Sequence, residues 1–264
     1  MKKFLIFGAL LISTSAFAQQ LPTSLTQDQI DDVSGEFAVN LSHTAVAAPE
    51  TKGMWGVEVG IVGGKTKSPE LAGLVDDAGE DGSDFKSIYH AGLMGRAHIW
   101  NVFLELSILP EREISDITIG NKSFGLGWNA GDTFDLPLDV AIGANFSNSD
   151  IKFKQEINND STGNTPVQSE ISFDAKTKVY WVGVSKEFLF FTPYAKVGTA
   201  SFEADIDVSN GSIFANEKSS EKGEGSGGYY ALGANLQFLL FRFGIEASKT
   251  IDVSRISGKF SVAF

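Results

Sequence analysis

The chain has 264 residues, a formal net charge of −12 and no cysteine. The lack of cysteine excludes a small scaffold held together by disulfides, and the acidic balance argues against a nucleic-acid partner. The 42% hydrophobic and 20% charged composition suits a soluble domain, but it equally suits a membrane β-barrel, whose membrane signal lies in alternation rather than in apolar runs.

The first residues predict a secretory signal peptide over residues 1–18. Lys2 and Lys3 precede an apolar run over residues 4–12, and Ala16 and Ala18 match the small residues of a cleavage site. This run is too short for a helical anchor, which needs about 20 apolar residues. We therefore expect export, and no later run is long enough to predict a transmembrane helix.

Residues 19–52 form a separate N-terminal segment in this interpretation, either periplasmic or plugging a barrel. Thr26 and Gln29 have the spacing of a capping box, and Leu25 and Ile30 that of a hydrophobic staple. The apolar positions that follow share one helical face, although Gly35 lowers helix propensity. The segment therefore predicts a short amphipathic helix, which either packs on its own domain or docks a partner.

Residues 53–264 alternate between apolar and polar positions, which is typical of β-strands. Ten segments show this period, and they span residues 54–64, 88–99, 102–108, 122–130, 136–146, 179–184, 193–202, 230–238, 241–247 and 256–264. Every second connection is short, whereas the others are mostly long. Outer-membrane barrels show this alternation of short periplasmic turns and long extracellular loops, so we predict an all-β, antiparallel, up-and-down transmembrane barrel of about ten strands (range 8–12).

Aromatic residues near the predicted strand ends are typical of the girdles that flank a membrane; they are Trp55, Tyr89, Trp100, Trp128 and Trp181. A secreted β-sandwich would show the same alternation with its faces reversed, and remains the soluble alternative.

Residues 150–170 and 207–226 leave the strand number open, because they could lengthen hairpins or add a strand pair. The outward face over residues 171–190 is also ambiguous, since Val179 and Trp181 compete with Tyr180 and Val182.

With its cleavable signal, alternating strands and terminal Phe264, the chain resembles Gram-negative outer-membrane β-barrel proteins. The resemblance implies that the last strand, with Phe260, Val262 and Phe264, is the assembly signal read by the barrel-assembly machinery. It also implies outer-membrane lipid and lipopolysaccharide as surroundings. The last strand should pair with the first, since closure removes both sheet edges.

Charged residues recur on the polar face of the predicted strands, and we expect them to line the lumen and neutralise one another; they include Glu58, Arg96, Glu105, Arg242, Glu246 and Lys259. If Trp100 and Asn101 form a two-residue turn, Arg96 pairs with Glu105 across the hairpin. Likewise Lys259 should lie near Glu58 at the seam. A solute filter is the alternative role for these charges.

The acidic loop after the first strand is a possible divalent-cation site, since carboxylate oxygens bind Ca²⁺ and Mg²⁺; its acids are Asp76, Asp77, Glu80, Asp81 and Asp84. A solvated surface loop is the preferred interpretation, because the spacing of a calcium loop fails.

His90 is expected near the extracellular rim, where it could serve a surface hydrolase, but no nucleophile motif accompanies it.

These patterns predict a small outer-membrane barrel with a structural or surface-interaction role, without a cofactor or enzymatic activity. A narrow channel for small solutes is the main alternative, and a hydrolase at the rim is the second. A barrel of about eight strands has an interior that is just filled by its own side chains, and ten strands make it only a little wider. This width argues against a role as a general porin.

Overall fold

In a computed structural model, the structure describes residues 25–51, 53–77, 82–114, 117–134, 136–159, 165–209 and 219–264. The predicted signal peptide lies outside these residues. Ten antiparallel strands close into one barrel, in which each strand pairs with its chain neighbours and the last pairs with the first. The predicted ten-stranded up-and-down barrel with an N-terminal helix is therefore confirmed.

The helices are α1 (Gln27–Asn40), α2 (Pro69–Asp77) and the single turn α3 (Ala130–Thr133), with a 3₁₀ turn at Gly82–Phe85. The strands are β1 (Trp55–Lys67), β2 (Ser87–Ile99), β3 (Val102–Ile114), β4 (Ile117–Asn129), β5 (Asp139–Asn159), β6 (Thr165–Ser185), β7 (Phe191–Val208), β8 (Ser220–Phe238), β9 (Phe241–Thr250) and β10 (Val253–Ala263). None of the helices in these ranges is long and apolar enough to cross a membrane.

The two ends of the barrel differ. The end that we call the turn end holds the start of β1, the last residue Phe264 and the tight turns at Trp100–Asn101 and Leu239–Leu240. Phe264 exchanges both backbone hydrogen bonds with Val57, so the last residue belongs to the sheet rather than to a free tail. The opposite end, which we call the loop end, carries α2 and the tips of the long hairpins.

The wall of the barrel is uneven in height. Strands β5 and β6 have 21 residues each, whereas β9 and β10 have 10 and 11. The described parts of residues 150–170 and 207–226 therefore lengthen the β5–β6 and β7–β8 hairpins rather than adding a strand pair. One side of the barrel thus rises above the other at the loop end.

The polarity of the wall reverses along β6 and β7. Near the turn end Val182 and Val197 point outward, at 46% and 53% exposed, while Lys196 points inward. Nearer the loop end Phe173 and Phe202 point inward and are buried, and the outward positions are charged. An apolar exterior suits lipid and a polar exterior suits water, so the reversal marks where the wall leaves the membrane.

The position of Trp181 corrects one prediction about the girdle. Trp181 is 4% exposed and faces the lumen, where its ring stacks on Phe103 and its indole N–H donates to Asn145. Tyr180 and Val182 face outward instead. The ambiguity over residues 171–190 arose because both alternating sets are apolar there, one facing lipid and the other packing inside the wall.

Candidate functional site: the occupied lumen

The N-terminal segment over residues 25–51 lies inside the barrel, and we call it the plug. Its helix begins as predicted, because the hydroxyl of Thr26 accepts the N–H of Gln29 and the Gln29 side chain accepts the N–H of Thr26. Helix α1 sits within the tall wall at the loop end, where Ile30 and Leu41 join an apolar cluster with inward residues of β5, β6 and β7.

Gly35 lies where α1 packs closely on the wall. A β-carbon at this position would lie 3.3 Å from the ring of Phe202 on β7, so an alanine would require the ring to move by a few tenths of an ångström. Glycine costs about 1 kcal/mol in helix propensity relative to alanine, and the burial of the helix against the wall compensates for this weak propensity.

Arg255 on β10 holds the end of α1. Its guanidinium donates to the carbonyl oxygens of Val39 (3.0 Å), Ser42 (3.3 Å) and His43 (3.4 Å), and to the Ser42 hydroxyl at 2.9 Å. The last carbonyls of a helix lack internal partners and carry partial negative charge. Arg255 is only 3% exposed, so these carbonyls stabilise a cation that water does not reach.

His43 joins the plug to the middle of the wall. Its backbone N–H donates to the Ser147 hydroxyl at 2.7 Å, its Nδ1 lies 3.0 Å from the Ser123 hydroxyl, and its Nε2 lies 3.3 Å from Glu105. The Ser123 hydroxyl also contacts the carbonyl of Ser107, and the tautomer of the ring decides whether this hydroxyl donates to Nδ1 or accepts from it. In either tautomer the imidazole links the plug to β3 and β4.

The lower part of the plug is held by side chains of β2 and β8. Arg96 donates to the carbonyls of Ala48 (2.8 Å) and Glu50 (2.7 Å). Asn235 donates to the carbonyl of Val46 and accepts the N–H of Ala48. The extended backbone of the plug thus finds its hydrogen-bond partners on the lumen wall, as buried backbone groups require.

The predicted lumen charges form ion pairs along the lumen wall. Arg96 is the register partner of Glu105, and its Nε lies 3.5 Å from the Glu105 carboxylate. Glu58 accepts from Lys259 (2.6 Å), Arg242 (2.9 Å) and the Ser261 hydroxyl (2.6 Å), which ties β1 to β10 at the seam. A matching cluster joins Glu246 to Lys196 at 3.4 Å and to the Tyr194 hydroxyl at 2.9 Å.

The other predicted residues lie apart from this network. Phe260 packs against Phe241 and Phe243 on the outer surface, and Phe264 is 66% exposed at the turn end. Val262, between them, pairs with Val59 on β1. Their role in assembly stays a prediction.

His90 lies near the loop-end start of β2, beside Tyr89, which pairs with Lys65. Its ring faces the lumen, with Nδ1 3.2 Å from Asn40 at the end of α1 and Nε2 3.2 Å from the Ser257 hydroxyl. His90 therefore contacts the plug and β10, and a hydrolase role for it stays a prediction.

The acidic loop is described only in part. Asp76 and Asp77 end α2, and the Asp76 carboxylate accepts the N–H of Gly82 at 2.8 Å. Glu80 and Asp81 lie outside the described residues, as does the side chain of Asp84. In the part of the chain that is described, no group of three or more histidine or carboxylate side chains is placed to hold a metal ion, and cation binding stays a prediction.

A carboxylate pair on the outer wall is a pH-sensitive feature outside the membrane. Asp150 and Asp174 are register partners, and the hydrogen bond with Asp150, followed by burial, raises the pKa of Asp174 from 3.8 to about 6. Because the folded pKa lies above the ordinary value, the pair favours the folded hairpin at low pH, and this contribution is lost as pH rises through about 6.

We expect acidification from pH 7 to pH 5 to slow amide hydrogen exchange in the outer parts of β5 and β6. The measurement is hydrogen exchange at several pH values, corrected for the intrinsic rate. Asp150→Asn removes the acidic neighbour and should lower the apparent pKa of Asp174 toward its ordinary value. An Asp174 that titrates near 4 in the unmodified protein would contradict the prediction.

Residues that join the plug to the wall were missed by sequence reasoning, notably His43 of the plug and Asn235 and Arg255 of the wall. Arg255 shares the inward parity of Lys259 on β10, so extending the last strand by one residue would have found it. His43 and Asn235 gave no such signal, because their partners are far away in the sequence.

Closure, an apolar exterior and a polar lumen together define a membrane-spanning β-barrel of the outer-membrane class, here with its own N-terminal segment inside. Among known families, the model described as "Family of unknown function (DUF6588)" matches residues 78–252. The chain belongs to this family. The matched region contains most of the barrel but not the plug, and no curated protein matches the sequence significantly.

Three solved structures show a weak overall similarity to this chain. They include the attachment invasion locus protein Ail of Yersinia pestis in complex with sucrose octasulfate, at 13% identity and a TM-score of 0.37, covering 81% of this chain and 100% of that chain. The toluene transporter TodX of P. putida has 8% identity and a TM-score of 0.34, with 83% and 70% covered. The translocator domain of NalP from Neisseria meningitidis has 10% identity and a TM-score of 0.37, with 90% and 93% covered.

Proposed function

We propose that this protein is a closed outer-membrane barrel with a structural or surface-interaction role, in which the plug keeps the lumen shut. The observation that carries the proposal is the binding of the plug backbone by buried lumen side chains, above all Arg96 and Arg255. A cavity near the turn end, lined by Glu58, Arg96 and Arg242, measures about 20 Å³. This volume holds about one water molecule, so the cavity offers no path for solutes.

The uneven wall supports a role at the cell surface. In outer-membrane barrels the short turns face the periplasm and the longer connections face outward. The tall hairpins of this chain are at the loop end and present mostly acidic groups to water, including Asp174, Glu203 and Asp205. A rigid, charged wall that stands outside the membrane is suited to contact with other surface components.

A narrow channel is the second candidate, and one observation favours it. Within the membrane-spanning part, the lower plug is held by hydrogen bonds to polar side chains in addition to a small apolar cluster with Val62 and Met94. Removal of the plug would therefore expose a passage lined in part by polar side chains. In that case the plug would be a gate, and the charges around Glu58 and Glu105 would act on the solutes that pass.

Planar-bilayer recordings test these candidates. We expect the unmodified protein to give no discrete current steps, because its lumen is filled. The double variant Arg96→Ala with Asn235→Ala removes the side chains that hold the lower plug, while Lys222→Ala, with its exposed side chain, is the matched control. Silence of all three proteins supports the closed barrel. Reproducible openings of the unmodified protein would overturn it, and openings of the double variant alone would favour a gated channel.

A further inference from the structure

Four lysines on the outer surface mark the edge of the apolar exterior. Lys65, Lys122, Lys178 and Lys249 point outward from β1, β4, β6 and β9 and are exposed. We call them the lysine belt. On each of these strands, the next outward position toward the turn end is uncharged. These positions are Gly63, Phe124, Tyr180 and Ala247.

The register of the sheet brings the four lysines to one height. We start at Trp55 on β1 and step from each residue to its register partner on the next strand. After all ten strands this path returns to β1 about 12 residues closer to the loop end. A stagger of 12 residues over ten strands tilts each strand by about 40° from the barrel axis. At this tilt each residue rises about 2.5 Å along the barrel axis. Corrected for the stagger, the four Cα positions differ in height by only about 1 Å.

The charges on the outer surface are sorted by height. From the turn end to the belt, the outward positions of the described strands carry no charged residue. The first outward acids, such as Asp150 and Glu203, lie about 7 Å further toward the loop end. In a chain with a net charge of −12, the first charged outward positions of the described strands above the apolar surface are therefore all lysines.

Two belt lysines already contact acids, but these contacts are exposed. Lys178 lies 3.7 Å from Glu203 and Lys249 lies 2.7 Å from Asp252, and the two carboxylates are 70% and 95% exposed. Exposed ion pairs contribute about 0–1 kcal/mol. A lysine in such a pair can therefore turn toward another anion at little cost in free energy.

Tyrosines place the belt at an interface between apolar and polar surroundings. Tyr180 and Tyr230 face outward just below the belt, and both are more than half exposed. Tyrosine rings prefer the headgroup level of a membrane, because one end of the ring is apolar and the other is polar. The belt therefore lies where the headgroups of the outer leaflet begin.

We propose that the lysine belt binds the phosphate groups of the phosphorylated glycolipid, lipopolysaccharide, that forms the leaflet at the loop end. An ammonium group is a compact donor suited to phosphate oxygens, and a ring of them at headgroup depth attracts anionic lipid. The inference deepens the proposed function, since it rests on the outer-membrane placement of the barrel with its loop end outward.

The test measures how much lipid A remains bound to the purified, folded protein in detergent, by native mass spectrometry. The belt variant carries Lys65→Gln, Lys122→Gln, Lys178→Gln and Lys249→Gln. The matched control carries the same change at four exposed lysines outside the belt, Lys86, Lys152, Lys186 and Lys222. Bisphosphorylated lipid A, dephosphorylated lipid A and inorganic phosphate are offered separately, and heat-modifiable migration on gels verifies that each barrel is closed.

We expect the unmodified protein and the control to retain bisphosphorylated lipid A, and the belt variant to retain about tenfold less. Dephosphorylated lipid A should bind weakly to all three. If the fourfold variant does not fold, two double variants, Lys65→Gln with Lys249→Gln and Lys122→Gln with Lys178→Gln, should each lose about threefold.

Equal retention by the belt variant and the unmodified protein would overturn the proposal, as would equal losses in the variant and the control. Binding of inorganic phosphate with no preference for phosphorylated lipid would also overturn it. Bilayer currents report on the closed lumen independently, so failure of the lipid proposal and failure of the proposed function give different results.

Discussion

Replacing Glu58 with glutamine is expected to destabilise the barrel by about 3–5 kcal/mol, because two cations at the seam lose their counterion. Glu58 is 2% exposed and accepts hydrogen bonds from Lys259, Arg242 and Ser261. Glutamine preserves the size of the side chain but not its charge. The measurement is the free energy of unfolding in urea, with the protein folded in detergent micelles or vesicles.

Two further variants separate the charge effect from a general loss of packing. Adding Lys259→Met to Glu58→Gln removes one of the two cations that lost their counterion. The double variant should therefore recover part of the lost stability. Glu70→Gln removes a carboxylate from the exposed surface of α2 and should change the stability by less than about 0.5 kcal/mol. Equal stability of Glu58→Gln and the unmodified protein would show that the seam does not need the ion pairs.

Replacing Arg255 with methionine is expected to loosen the plug while the barrel stays closed. The substitution keeps an unbranched apolar stem but removes the donors to the carbonyls of Val39, Ser42 and His43. The carbonyls of Val39 and Ser42 keep the hydroxyls of Ser42 and Thr44 as donors, so the main loss is at the carbonyl of His43. A buried acceptor that loses its donor costs about 1–3 kcal/mol. We expect amide hydrogens over residues 38–44 to exchange about 100-fold faster, as local opening becomes easier.

Hydrogen exchange followed by mass spectrometry measures this opening segment by segment. Exchange in β5 and β6 should be unchanged, which distinguishes release of the plug from unfolding of the wall. Lys222→Met is the matched control, because it removes an exposed cation on β8. Slow exchange over residues 38–44 in Arg255→Met would mean that apolar packing of α1, rather than Arg255, holds the plug.

Much of the fold followed from local features of the sequence. Alternation with a period of two located all ten strands, and a two-residue turn at Trp100–Asn101 fixed Arg96 opposite Glu105. The capping box at Thr26 located the start of α1. Each of these features depends on residues that are close in the chain, so a single sequence is sufficient to find them.

Features that depend on the third dimension were not predictable in this way. Trp181 was assigned to the aromatic girdle because both faces of β6 are apolar there, whereas its ring packs in the lumen against Phe103 from β3. Arg255 and His43 make their contacts across the lumen, between segments about 200 and 60–100 residues apart. No local pattern encodes which parts of a plug and a wall will meet.

The plug also gives the tall part of the wall a core of its own. It runs from the tall hairpins, where Gln27 donates to the carbonyl of Lys222, along the lumen to the start of β1 at the turn end. A helix with its side chains is about 10–12 Å across, and α1 packs on the inward apolar residues of β5, β6 and β7. Above the membrane the chain is therefore built like a small water-soluble domain, with charged residues outside and a helix as its core, set on a barrel whose polarity is the reverse.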